Sequence, residues 1–335
     1  STPKPSSAAS DVYKRQISSC STLAFWSDDA EEETAEPVKL TKIQNQYPIE
    51  VEWKRSFNGE NDLGSFVPSF YSDEMIVADP DGNLVSINPS TGKVNWEIDL
   101  KRNLSAGTAS GFGKIIFSDT NGFVIAIDSV TKETLWEKSV GGEILTNGAI
   151  SPTLIIVKNS AGELVALDSL TGEQKWSFRS QLPALTVRGT GEPIIENNTV
   201  YSTFDNGRIG AFELDTGYFL WDGPISFVEG TSELENLIDS DSSPVIAQQL
   251  IFATNYQGRL TAFDLAQKRP VWNADASSFH SPVIGNNMLM VIQDDGSILS
   301  FSMTNLSPSW SSEAVSYTHL RAHETREDRV CRLVV

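Results

Sequence analysis

The sequence predicts an all-β protein, a β-propeller of four-stranded blades, on three observations. Six segments repeat one order: apolar strand, turn, glycine, alternating strand, Asp or Asn, second turn, tryptophan. In each, the turn glycine (Gly82, Gly122, Gly162, Gly207, Gly258, Gly296) stands 14 residues before its tryptophan (Trp96, Trp136, Trp176, Trp221, Trp272, Trp310). Counting Trp53, the tryptophans are spaced 43, 40, 40, 45, 51 and 38 residues apart, which is the length of one propeller blade. Alternation of period two, with no sustained 3.6 pattern, excludes a helical repeat of similar length.

Each element of the unit has a local cause. In IIVKNSAGELVALDSLTGEQKW, ending at Trp176, the first apolar run is a strand. The following Gly, preceded by Asp, Asn or Gln in all five of its relatives, supplies the positive φ that a tight turn needs. The next strand alternates, and STG, LTG or DTG turns the chain again. The tryptophan then falls on the outer strand. Burying it removes about 150–250 Å² from water, about 4–6 kcal/mol as an upper bound, and its recurrence is what packing between units requires. Trp53, in IEVEWKRSF, has the outer-strand signature without preceding hairpins. It is expected to complete a last blade by strand exchange, with the closing blades lying beyond Trp310.

Composition bounds the function. The 335 residues carry 25 Lys and Arg against 44 Asp and Glu, a formal charge of −19. Such an excess argues against binding nucleic-acid phosphates. No apolar run approaches the length of a membrane span. The two cysteines, Cys20 and Cys331, form neither a disulfide framework nor a zinc spacing. Both ends differ from what lies between them: DVYKRQ and SYTHLRAHET read as translated sequencing-adapter sequence. The expected organisation is a non-native segment over 1–16 and a cysteine with an acidic tether over 17–48. The propeller follows over 49–310, then a mostly non-native tail over 311–335.

Enzyme signatures are few. DPDGN (79–83) begins like a calcium loop, but Ser90 stands where a bidentate Glu is needed, so an Asx turn is expected. No GxSxG, HExxH or GxxxxGK[ST] motif occurs. GFGKIIF (111–117) lacks the third glycine of a nucleotide fingerprint and reads as the start of a strand. His280 has no sequence-local Cys or Asp partner. No metal or cofactor is expected.

The GxLxAxDxxTGxxxW pattern resembles quinoprotein-type propeller repeats. LPALTVRGTGEP (182–193), SELENLIDSDSSPVI (232–246) and ISSCS (17–21) narrow the resemblance to the BamB family, lipoproteins of the outer-membrane β-barrel assembly machinery. It covers residues 17–310. The family has eight blades, so the resemblance implies that about six are present and the closing ones are truncated. It further implies a non-catalytic scaffold on the periplasmic face of the outer membrane. Cys20 would carry acyl (palmitate-type) chains, and Ser21 in second place is similar to outer-membrane sorting. ISSCS departs from the usual lipoprotein box in having Ile17 for Leu.

Departures from the period mark loops on a binding face. The two longest spacings enclose Leu185, Val187 and Arg188 in one loop, and Glu229, Glu233, Glu235, Asp239 and Asp241 in the next. Apolar anchors, a guanidinium and a carboxylate cluster suit a protein partner. By resemblance, Leu185, Val187, Arg188, Asp239 and Asp241 contact the periplasmic domains of BamA within the Bam complex, and unfolded outer-membrane precursors are further partners. An internal ion pair between Arg188 and Asp239 or Asp241, and packing of Leu185 and Val187 between blades, are the structural alternatives. The other functional class is a quinoprotein dehydrogenase holding pyrroloquinoline quinone and calcium at the axis; the chain lacks the vicinal cysteines of that class.

Overall fold

Among the described residues, twenty-four strands form six separate four-stranded antiparallel sheets, each built in sequence order. The computed structural model describes residues 51–57, 59, 64–180, 191–225, 242–256 and 258–312. All of these belong to one unit, residues 46–335. The first sheet holds β1 (Ser69–Tyr71), β2 (Glu74–Ala78), β3 (Asn83–Ile87) and β4 (Val94–Asp99), and the second β5 (Ala109–Gly111), β6 (Lys114–Ser118), β7 (Phe123–Asp128) and β8 (Thr134–Ser139). The third comprises β9 (Ala149–Ile150), β10 (Leu154–Lys158), β11 (Glu163–Asp168) and β12 (Gln174–Arg179); the fourth, β13 (Ile194–Glu196), β14 (Thr199–Phe204), β15 (Arg208–Glu213) and β16 (Phe219–Pro224). Then come β17 (Val245–Ala247), β18 (Leu250–Thr254), β19 (Arg259–Asp264) and β20 (Arg269–Asp275), and finally β21 (Val283–Gly285), β22 (Met288–Ile292), β23 (Ile298–Ser302) and β24 (Pro308–Ser312). The short first strands approach one another from sheet to sheet, β1 to β5, β5 to β9, β9 to β13 and β17 to β21. They therefore line the axis, and the tryptophan strands lie outermost. This is the predicted propeller of four-stranded blades.

The turns follow from side-chain chemistry. Between the second and third strands, Asp119 Oδ1 accepts from the N–H groups of Asn121 and Phe123 at 2.9 and 3.0 Å. Asn159 does the same for Ala161 and Glu163 at 3.0 and 3.1 Å. Asp79 accepts from the Asn83 N–H at 2.8 Å and from its amide at 3.1 and 2.9 Å, so DPDGN is a side-chain-closed turn, as expected. Between the third and fourth strands, Asp128 Oδ1 accepts from Val130 and Thr131, both at 2.8 Å, and Asp168 from Leu170 and Thr171, both at 3.0 Å. Those N–H groups hold the carboxyls of Asp128 and Asp168 below their ordinary pKa.

Period-two alternation sends neighbouring side chains to opposite blade interfaces. In β6, Ile115 and Phe117 join the core against the first blade, while Ile116 joins the core against the third. In β10, Ile155 and Val157 face the second blade, and Leu154 and Ile156 face the fourth. The hydrophobic core is thus a series of layers between blades.

The tryptophan is fixed in register. Every third strand shifts register by one residue just after the residue opposite Trp, which is Ser86, Ala126, Ala166, Ala211, Ala262 or Ser300. That small residue stands four positions after the turn glycine. The bulge then aims the indole at the next blade. Trp136 Nε1 donates to the carbonyl of Ser169 at 3.1 Å, and Trp176 Nε1 to that of Leu214 at 2.8 Å. Beneath each ring lies the glycine of that blade's second turn. A Cβ on Gly172 would stand 2.6 Å from Trp136, and one on Gly217 2.5 Å from Trp176. Both glycines also have positive φ, 71° and 68°.

Trp53 docks in the same way, donating to Pro89 O at 2.8 Å over Gly92, although residues 51–57 form no strand. With Phe57 it covers Met75, Val77, Val85 and Ile87 of the first blade. Three tryptophans depart from the rule: the turn-glycine position opposite Trp221 and Trp272 is held by Lys268 and Leu306, with φ 56° and 54°, and Trp96 departs as well. Opposite Trp96, Lys132, with φ 65°, occupies the turn-glycine position, and its Nζ lies 3.9 Å from the Trp96 ring. The indole N–H goes instead to Glu74 Oε2 at 3.2 Å. Trp310 on the last described blade is 42% exposed, against 8–9% for Trp136, Trp176 and Trp221.

Two glycines separate docking from backbone strain. Gly113 has φ 77° but nothing within 4 Å of its Cβ site, so Gly113→Ala is expected to lose about 1–2 kcal/mol from the left-handed conformation alone. Gly172→Ala adds a clash with Trp136 and is expected to lose about 2 kcal/mol more. Urea unfolding of both variants checks the difference; equal losses would mean that the indole does not rest on that turn.

Candidate functional site

Antiparallel order puts the links between blades, and the turns carrying Gly82 to Gly296, at one end of the sheets. The two long links, 180–193 between β12 and β13 and 225–244 between β16 and β17, both leave and return at that end. Leu185, Val187, Arg188, Asp239 and Asp241 lie outside the described residues, as does Cys20. What the structure supplies is the framework at the feet of the two links.

That framework is a chain of hydrogen bonds around the axial mouth. Each first strand is preceded, two residues upstream, by an equivalent position: Val67, Gly107, Asn147, Glu192, Ser243 and Ser281. Proline follows four of them, as Pro68, Pro193, Pro244 and Pro282, and holds the preceding residue extended. From Asn147 onward one rule recurs: the backbone N–H donates to the side-chain oxygen of the equivalent residue in the next blade. Asn147 N–H donates to the Glu192 carboxylate, Glu192 N–H to Ser243 Oγ at 2.8 Å, and Ser243 N–H to Ser281 Oγ at 2.8 Å. Toward the first blade, Ser65 N–H reaches Leu145 O at 2.8 Å, Gly107 N–H reaches Ser65 O at 2.9 Å, and Asn147 Nδ2 reaches Val67 O at 3.0 Å. Gly107 is required here, since a Cβ would stand 2.6 Å from Asn147 Oδ1 and 2.8 Å from Val67 O.

A second layer supports the first. Thr203 Oγ1 donates to Ser242 O at 2.8 Å, Ser242 Oγ to Thr254 O at 2.6 Å, and Thr254 Oγ1 to His280 O at 3.0 Å. Lys158, buried in β10, reaches Thr203 O through Nζ at 3.1 Å. The hydroxyl ladder thus passes from β14 through the foot of the second long link to the link before β21.

Glu192 is the anomalous member. Burial pushes its carboxyl up from 4.5 to about 7, against the lowering effect of the Asn147 N–H. Nearby, Thr146 Oγ1 and Asn147 Oδ1 are buried without a hydrogen-bond partner among the described residues. His280 lies tilted at 48° to the neighbouring Phe279 ring with centroids 4.3 Å apart, and burial lowers its pKa. Among the described residues, no three His, Cys, Asp or Glu side chains cluster in a way that could hold a metal. The rim's arginines engage carboxylates: Arg102 with Asp119 and Glu137 at 3.3 and 3.1 Å, Arg179 with Glu163 at 3.4 Å, and Arg259 with Asp275 at 3.2 Å.

The arrangement is a rigid collar suited to hold loops. Sequence reasoning located the two links but missed the collar, because most of its donors are backbone N–H groups. One signal was present: a Pro directly after the same position in four of six units, with Glu192 as the single ionisable residue among the six.

Blades packed by a repeated indole around an axial collar define a β-propeller of the quinoprotein-repeat class. Within that class the chain belongs to the family described as "Outer membrane protein assembly factor BamB", which matches residues 80–312. Similar proteins include the BamB of Kangiella koreensis, 44% identical over 250 residues that cover 74% of this chain and 64% of that protein. The BamB of Pseudomonas aeruginosa is 45% identical over 245 residues, covering 72% and 64%. The chain thus spans a little under two thirds of the length of these relatives. Among solved structures, BamB from Moraxella catarrhalis superposes with a TM-score of 0.70 at 22% identity, over 80% of both chains. Quinohemoprotein alcohol dehydrogenase from Comamonas testosteroni shares the fold at a TM-score of 0.59 and 15% identity, over 79% of this chain and 62% of that one.

The Glu192 carboxyl gives a pH signature. Its folded pKa, about 7, lies above its ordinary 4.5, so the folded state takes up the proton more readily than the unfolded chain. Stability is therefore lost as pH rises from about 4.5 to 7, by up to about 3 kcal/mol from this group. Glu192→Gln keeps an acceptor for the Asn147 N–H without the charge. The variant is expected to be more stable than the parent at pH 8 and equal to it near pH 4.5. An unchanged difference across that range would show that Glu192 titrates like an exposed carboxylate.

Proposed function

We propose that this chain acts as a non-catalytic scaffold in outer-membrane β-barrel assembly, docking on the periplasmic domains of BamA. Family membership across residues 80–312 carries the reading. Supporting it, the two links that break the repeat's period belong to the same end of adjacent blades, and their feet meet in the Glu192–Ser243 hydrogen bond at 2.8 Å. Leu185, Val187 and Arg188 on the first link, with Asp239 and Asp241 on the second, supply the contact chemistry. Cys20 supplies the lipid anchor that keeps the propeller at the periplasmic face of the outer membrane, with 21–48 as its tether. Precursor strands of outer-membrane proteins are further partners, pairing with exposed outer blade edges such as β24, whose five residues are all exposed.

The test is co-purification of the protein with the periplasmic part of a cognate BamA. Arg188→Ala and Asp239→Ala are each expected to weaken capture about 10-fold or more, as at an interface hot spot, with unchanged circular dichroism. Full capture by both variants would remove these links from the interface. Dye reduction with an alcohol, quinone and calcium would instead favour the dehydrogenase class, whose likeness to this chain is one of fold.

A further inference from the structure

The two long links differ from the others in length. The links between β4 and β5 and between β8 and β9 span nine residues each, whereas those before β13 and β17 span 14 and 20. Longer links carry more conformational entropy and need firmer anchoring if they are to act together. Their distal feet are both followed by proline, Pro193 and Pro244, and are buttressed from behind. Ser242 is held by Thr203 and Thr254, and the Glu192 carboxylate sits on the Asn147 N–H. Between these feet runs the bond from Glu192 N–H to Ser243 Oγ at 2.8 Å. The two residues are 51 positions apart in sequence.

We infer that Glu192 and Ser243 are positioning residues that clasp the feet of the two long links, so that loosening one link loosens the other. The hydroxyl of Ser243 is the acceptor in the clasp, and its own N–H is separately engaged by Ser281 Oγ at 2.8 Å. Removing the Ser243 hydroxyl therefore opens the clasp while leaving the next step of the collar intact. For partner docking, the inference rests on the function proposed above. The coupling between the links does not.

The experiment compares the full chain with Ser243→Ala, Ser243→Thr and Ser281→Ala, following tryptic cleavage after Arg188 by mass spectrometry under native conditions. Arg188 is on the other link, 55 positions from residue 243. Loss of one hydrogen bond corresponds to about a five-fold change in opening. Ser243→Ala is expected to raise cleavage after Arg188 by about that factor at an unchanged melting temperature. Ser243→Thr, which keeps the hydroxyl, restores the parental rate, and Ser281→Ala leaves it unaltered. Parental cleavage in Ser243→Ala, or an equal rise in Ser281→Ala, would overturn the clasp. Capture by BamA separates the two ideas. A clasp that couples cleavage while Arg188→Ala binds normally defeats the docking reading alone. Loss of capture in Arg188→Ala, with parental cleavage and capture in Ser243→Ala, defeats the clasp alone.

Discussion

One contact sets the form of the chain: an indole packed on the next blade, which at Trp53, Trp136 and Trp176 lies on a turn glycine with its N–H on a carbonyl of that turn. The contact fixes the spacing within a unit. From the turn glycine the third strand runs four residues to the small residue opposite the tryptophan, and the bulge beside it sets the return. One inserted residue would move the tryptophan to the other face of its strand, away from Ser169 O or Leu214 O. The interval from glycine to tryptophan is therefore invariant, and length varies only where the indole imposes nothing, in the links between blades. Variation reaches the surface at one end of the sheets because the docking contact forbids it elsewhere.

What was legible in the sequence follows from that constraint. The second, third and fourth strands of every blade were readable because alternation, glycine and tryptophan each leave a residue-level mark. The first strands were not. ASG (Ala109–Gly111) and Ala149–Ile150 have no strand signature, and their pairing is set by the neighbouring hairpin and by the approach of the blades across the axis. Trp53 was read as an outer strand. It docks as one without forming a ladder, since docking needs only the ring and the turn at Gly92. Trp96 shows the reverse dependence. Where Lys132 replaces glycine, the ring no longer reaches the turn carbonyl and bonds to Glu74, under the lysine ammonium. The site was legible as two non-periodic links, and its collar was hidden because backbone N–H groups do most of the donating.

Electrostatics at the linking end follow from pairing on the hairpins. Arg102, Arg179 and Arg259 are engaged by carboxylates of the blades themselves. Such half-exposed pairs contribute little to stability, about 0–1 kcal/mol each, but they occupy cations that could otherwise neutralise the acidic link. The carboxylates of 229–241 have no Lys or Arg among them in sequence. In the proposed interface Arg188, on the adjacent link, supplies the opposite charge, and a guanidinium has more donors than one carboxylate can occupy.

Glu192 is the member of the collar whose chemistry is not explained by holding blades together. At the next two positions a serine hydroxyl accepts the preceding N–H and carries no charge. A carboxyl in the same role introduces a desolvation penalty that is absent when it is protonated and present in full above pH 7. Glutamine would accept the same hydrogen bond without that penalty, so the ionisable group gives the collar no structural advantage at neutral pH. Its place in the chain is informative: Glu192 ends the first long link and donates its N–H to the foot of the second. A destabilising charge stands where the two non-periodic links meet, while the rest of the collar is built from neutral groups. The stability given up at Glu192 is therefore concentrated at the end of the propeller that carries the two long links, where docking is proposed.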